Sequence, residues 1–172
     1  MPTEDDAHNG GLSLGAFAAL LGPYLRLPPS TDEGLVVVGV GNRLRGDDGL
    51  GPSLIDRLKE RGFAHCVDAG PAPENHVSAV LQEDPKTILF VDAAHLGLPP
   101  GACRLLTQQD ILRTGITTHD IPLPLLIDYV TERSGARILL LAIQPQHTTL
   151  GADLSPAVRR TLDELAVFFT SG

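Results

Sequence analysis

The chain has 172 residues, with 13 basic and 21 acidic side chains and a formal net charge of −8. That length favours one domain able to bury a core without disulfides, and Cys66 and Cys103, far apart and in no CxxC pair, read as reduced thiols. The acidic balance disfavours nucleic acid and anionic membrane surfaces as partners, no stretch is apolar enough to span a bilayer, and the acidic first residues are unlike a secretory signal, so the expected location is the cytoplasm.

Residues 1–33 differ from the rest. The first ten are polar and aperiodic, the pattern of a disordered tail. Leu12, Leu14, Phe17, Leu20 and Leu21 then form a loose helical stripe before Pro28 and Pro29, which predicts a short helix over 11–27 docked on the domain or on a partner. From Gly34 the pattern becomes regular, so the domain is expected over 34–172. Leu35 to Val40 is a continuous, β-branched apolar run, as in a parallel strand buried on both faces. A helix is predicted over Pro52 to Arg61, a short strand from His65 to Val67 ending at Asp68, and a helix over Glu74 to Gln82. Thr87 to Val91 reads as a second apolar strand ending at Asp92. Cys103 to Leu106 reads as a minor strand, Gln108 to Thr114 as a short helix. Pro122 to Arg133 reads as a helix with an apolar face at Leu125, Leu126, Ile127 and Val130. Ala136 to Ile143 reads as a third apolar strand, and Pro156 to Phe169 as a last helix capped by Ser155. Strands alternating with helices predict an α/β fold, a sandwich with helices on both faces of a mostly parallel sheet. Ligands of such sheets sit beyond the carboxyl ends of the strands.

The segment Gly39 to Gly51, between the first strand and the first helix, is the richest in chemistry. A dinucleotide-binding G-x-G-x-x-G is excluded because its third glycine position holds Leu44, and because Asp47 and Asp48 would repel a pyrophosphate at that helix start. Helix capping accounts for one of the two aspartates. The alternative is that carboxylates at the mouth of a sheet, among glycines that allow close approach, serve as cation ligands or acid–base groups. Asp68 and Asp92, each ending a predicted strand, point toward the same rim. Three acids converging there call for a cation among them. His119, in Thr117-Thr118-His119-Asp120, also falls on that rim, and imidazole with carboxylates suits zinc or nickel. There is no G-x-S-x-G and no H-E-x-x-H, so a hydrolase here would use carboxylates or a metal rather than a covalent serine intermediate.

These residues carry a family resemblance. Gly39-x-Gly41-Asn42 followed by Asp47-Asp48-x-x-Gly51, then Asp68 to Asn75, Val91-Asp92-Ala93, Thr117-Thr118-His119 and Ala142-Ile143-Gln144-Pro145, resemble the NiFe-hydrogenase maturation proteases over roughly 35–169. The Pro-Glu-Asn and Thr-Thr-His segments are most similar to the branch that processes formate-hydrogenlyase-type hydrogenases. The resemblance implies a three-layer αβα sandwich around a twisted five-stranded sheet. It implies an aspartic-type endopeptidase that removes the C-terminal extension of the hydrogenase large-subunit precursor after nickel insertion. It assigns catalysis and metal contact to Asp48, Asp92 and His119, and substrate binding to Asn42 and Asp68. The metal is nickel supplied by the substrate, with cadmium or zinc as stand-ins in vitro. The partner is the large-subunit precursor, with no nucleic acid and no membrane insertion. The competing expectation is a non-catalytic metal-binding assembly module or chaperone of the large subunit.

Overall fold

Three apolar runs make the centre of the sheet. In a computed structural model, which describes residues 13–26, 29, 34–114 and 123–171, these are β1 (Leu35–Val40), β3 (Thr87–Ala93) and β5 (Arg137–Ile143), buried along their length apart from Arg137. The shorter β2 (Cys66–Gly70) and β4 (Cys103–Thr107) take the edges, giving the order β2-β1-β3-β5-β4. Pairings among β2, β1, β3 and β5 are parallel, and β4 runs antiparallel to β5.

Successive strand residues point to opposite faces, and each face is covered. Val37, Leu89, Val91, Leu139 and Leu141 meet α1 (Leu14–Leu21), α2 (Leu50–Glu60) and α6 (Pro156–Thr170). Val38, Ile88, Phe90, Ile138 and Leu140 meet α3 (Val77–Gln82), α4 (Gln108–Thr114) and α5 (Leu123–Ser134). The expected three-layer sandwich is therefore observed, with its core split by the sheet. No helix among the described residues is long and apolar enough to cross a membrane.

Several boundaries differ from expectation for identifiable reasons. The N-terminal helix spans Leu14–Leu21, capped by Ser13, whose Oγ accepts from the Ala16 amide. It stops at Gly22-Pro23, where proline lacks the donor to continue. Its Phe17 and Leu21 are fully buried, and the Phe17 ring lies 6.0 Å from that of Phe168, so the helix is docked on the domain. The expectation of a disordered tail over the first ten residues lies outside the described residues. β2 does not end at Asp68: parallel pairing with β1 carries it through Asp68 to Gly70. β3 likewise continues through Asp92 because Asp92 and Ala93 pair with Ala142 and Ile143. The helix expected over Glu74 to Gln82 divides into a 3-10 turn, Pro73–His76, and α3. On α5 the buried face is Leu123, Leu126, Ile127 and Val130, a spacing of three and four. Leu125 falls outside that stripe and is 67% exposed. Ser155 caps α6 as expected, its Oγ accepting from the Val158 amide.

Candidate active site

The carboxyl end of β1 is built by close packing. A methyl group on Gly51 would lie 2.6 Å from the Val91 carbonyl oxygen, and one on Gly39 would lie 2.6 Å from Ile55 Cγ1. These glycines let the start of α2 press onto β1 and β3, so their small size serves helix–sheet contact rather than ligand approach. Gly41 has φ of +138°, and a side chain there would collide with the Asp48 carbonyl. The same position stands 3.7 Å from an Asp92 carboxylate oxygen. Gly41 thus sits between Asp48, in the 3-10 turn Gly46–Gly49, and Asp92, at the end of β3.

Both acids are nearly enclosed, Asp48 at 6% and Asp92 at 1% exposure. Asp48 Oδ2 accepts the Asn42 amide at 3.1 Å, and Asp92 Oδ1 accepts the Ala93 amide at 2.8 Å. Buried carboxylates are costly unless hydrogen-bonded, paired or bound to a cation, and their oxygens are hard donors suited to a divalent ion. The predicted third ligand, His119, lies in residues 115–122, outside the described residues. Among the described residues no group of three or more metal-ligating side chains assembles.

Asp47 differs from its neighbour. It is fully buried and holds the far side of the rim: Oδ1 accepts the Ser155 amide at 2.6 Å, and Oδ2 accepts those of Gln146 at 2.8 Å and His147 at 3.3 Å. It ties the loop after β5 and the start of α6 to the site. Sequence reasoning did not assign it this task, since nothing local distinguishes Asp47 from Asp48. Gln144, within the Ile143-Gln144-Pro145 motif, is also a builder. Its Oε1 accepts from the amides of Leu96 and Leu98 at 2.6 and 3.4 Å, which fixes the chain as it leaves β3.

The two residues predicted to bind substrate have definite surroundings. The Asn42 side chain turns back, its Oδ1 accepting the Leu44 amide at 2.9 Å, while its own amide faces Asp48. Asp68 is engaged by protein: Oδ1 accepts the Gly70 amide at 3.0 Å and Oδ2 accepts Arg43 Nη2 at 2.7 Å. Arg43 also pairs with Asp56, which holds its guanidinium above the usual range, with Asp68 adding to the effect. Both cysteines are free. Burial raises the Cys66 thiol and pushes that of Cys103 up to about 12, so neither is a thiolate nucleophile at neutral pH.

Residues 51–170 match the family model described as hydrogenase maturation protease. The hydrogenase 3 maturation protease of Escherichia coli strain K12 is 40% identical over 113 residues, covering 64% of this chain and 72% of that protein. The crystal structure of a NiFe-hydrogenase maturation protease from Thermococcus kodakarensis superposes with a TM-score of 0.74 at 30% identity, covering 81% of this chain and 91% of the other. The solution structure of an endopeptidase from Escherichia coli gives 0.68 at 29% identity, covering 80% and 89%.

Proposed function

The chain belongs to the hydrogenase maturation proteases, and from that premise we propose that it is the endopeptidase that removes the C-terminal extension of a NiFe-hydrogenase large-subunit precursor after nickel insertion. The observation that carries this reading is the pair of buried carboxylates at the Gly41–Asn42 turn, where the Asp48 carboxylate accepts the Asn42 amide and an Asp92 carboxylate oxygen approaches Gly41, at the ligand-binding end of the sheet.

In this reading nickel arrives as part of the substrate. Asp48, Asp92 and His119 engage the ion carried by the precursor, which brings the scissile peptide to the rim and rejects precursor that carries none. Positioning of this kind turns an encounter between two molecules into a reaction within one complex. A carboxylate oxygen of the site accepts the proton of the attacking water, consistent with aspartic-type chemistry. Asn42 shapes the loop that aims Asp48, and Asp68 borders the path of the precursor chain. The protein works on a soluble precursor in the cytoplasm.

The test is a cleavage assay with substoichiometric protein and a cognate precursor, nickel-loaded and nickel-free, read by mass spectrometry of the C-terminus. Multiple turnovers on the loaded form alone are expected. Asp48→Ala and His119→Ala should abolish cleavage while retaining the fold. Binding of precursor without turnover would replace this reading by the assembly-module one. Cleavage of both precursor forms would remove the nickel requirement.

A further inference from the structure

We propose that Arg43 is a positioning residue for Asp48, acting through the Asn42 amide, with Asp56 and Asp68 as the counter-charges that hold it. This rests on the maturation-protease reading above.

Arg43 lies at the tip of the loop joining β1 to the 3-10 turn. Its guanidinium bridges two elements that flank that loop. Nη1 and Nη2 both meet the Asp56 carboxylate, and Nη2 also donates to the Pro52 carbonyl at 3.2 Å, both acceptors being on α2. Nη2 further donates to Asp68 Oδ2 on β2 at 2.7 Å. A planar fork reaches two carboxylates in this way, and a single ammonium does not. Asp68 is itself fixed by the Gly70 amide, and the Gly70 carbonyl accepts the Gly41 amide at 2.9 Å, so the clamp and the loop share one frame.

The preceding residue depends on that frame. The Asn42 amide donates to Asp48 Oδ2, while its side chain and carbonyl are spent within the loop on the Leu44 and Arg45 amides. The loop backbone rests against the turn that carries Asp48: a methyl on Gly49 would lie 2.9 Å from Arg43 Cα. The direction of the Asn42 N–H therefore follows from where Arg43 is pinned. Exposed ion pairs contribute little to stability, and the Arg43 and Asp56 side chains are 44% and 53% exposed. Geometry at Asp48, rather than folding, is what this clamp serves. It also gives Asp68 a task within the protein, holding Arg43.

The experiment uses the full chain. Amide hydrogen exchange at Asn42 is followed by NMR in wild type, Arg43→Met, Arg43→Lys and Asp68→Asn. Arg43→Met should speed Asn42 exchange roughly tenfold through local opening, with the rest of the sheet unchanged. In cleavage of nickel-loaded precursor the same variant should lower kcat by about tenfold or more with KM nearly constant, the size expected for a residue behind a ligand. Arg43→Lys should restore part of the rate, and Arg43→Met with Asp68→Asn should be no worse than Arg43→Met alone. Unchanged Asn42 exchange would overturn the proposal whether or not the protein cleaves precursor. A raised KM with constant kcat would make Arg43 a substrate contact instead, and a rate loss matched by a fall in folded protein would make its role purely structural. If wild type cleaves nothing, the protease reading fails while the exchange data still judge the link from Arg43 to Asn42.

Discussion

Replacing Asp47 by alanine should consume much of this protein's stability, whereas the same change at Asp48 should remove activity and leave the fold standing. The Asp47 carboxylate is fully buried and accepts two short backbone hydrogen bonds, from Ser155 at 2.6 Å and Gln146 at 2.8 Å, with a longer one from His147 at 3.3 Å. Hydrogen bonds to a charged group contribute roughly 1.5–3 kcal/mol each, so the two short ones together amount to about 3–6 kcal/mol. Removing a buried charge relieves its desolvation, which brings the net loss toward the lower end, about 3 kcal/mol. For a domain of this size each kcal/mol moves Tm by roughly 2–4 °C, so Asp47→Ala should melt about 6–12 °C below wild type. Urea unfolding should show the midpoint lowered with an unchanged slope. Asp48→Ala removes the acceptor of the Asn42 amide and should abolish cleavage in a protein that is still folded at the assay temperature. Equal melting of Asp47→Ala and wild type would refute the assignment of Asp47 as the tether of the 145–155 loop.

The N-terminal helix and the last helix supply two further tests. Phe17 is fully buried against Phe168, so Phe17→Ala should cost about 3–5 kcal/mol; cleavage measured well below its melting temperature should be intact, and an unchanged denaturation midpoint would detach α1 from the core. Burial raises the Glu164 carboxyl, with Arg160 opposing the shift and Asp163 adding to it, and its buried Oε2 accepts no hydrogen bond from the described residues. A carboxyl raised by folding gains stability as pH falls, so Glu164→Gln should melt above wild type at neutral pH, and the gap should shrink as pH drops through the raised value and close below the ordinary one. Melting curves of the two proteins across that range check the sign.

Part of the site was legible because its residues stand at the ends of legible strands. Asp92 follows the apolar run Thr87 to Val91, and Asp48 follows the glycine-bounded turn after β1, so their shared rim follows from strand direction. Asp68 shows the limit of that argument. It stands level with Val91, one position before Asp92, since both pair with Gly39, and what strand direction does not show is that its carboxylate is taken by Arg43, 25 positions earlier. Leu125 shows the same limit in a helix: an apolar residue among apolar neighbours is 67% exposed because the sheet lies on the other side.

The sequence by itself determined the strand cores, the helix carried by Ser155 and Pro156, and the α/β class, because local burial pattern and capping chemistry act over a few residues. Only the tertiary structure decided the order β2-β1-β3-β5-β4, the antiparallel edge of β4, and the docking of α1 against Phe168. It also separated Asp47 from Asp48. The two are identical side by side, and what distinguishes them is a set of backbone amides about a hundred positions away, at 146, 147 and 155, which meet Asp47 after β5 has crossed the sheet.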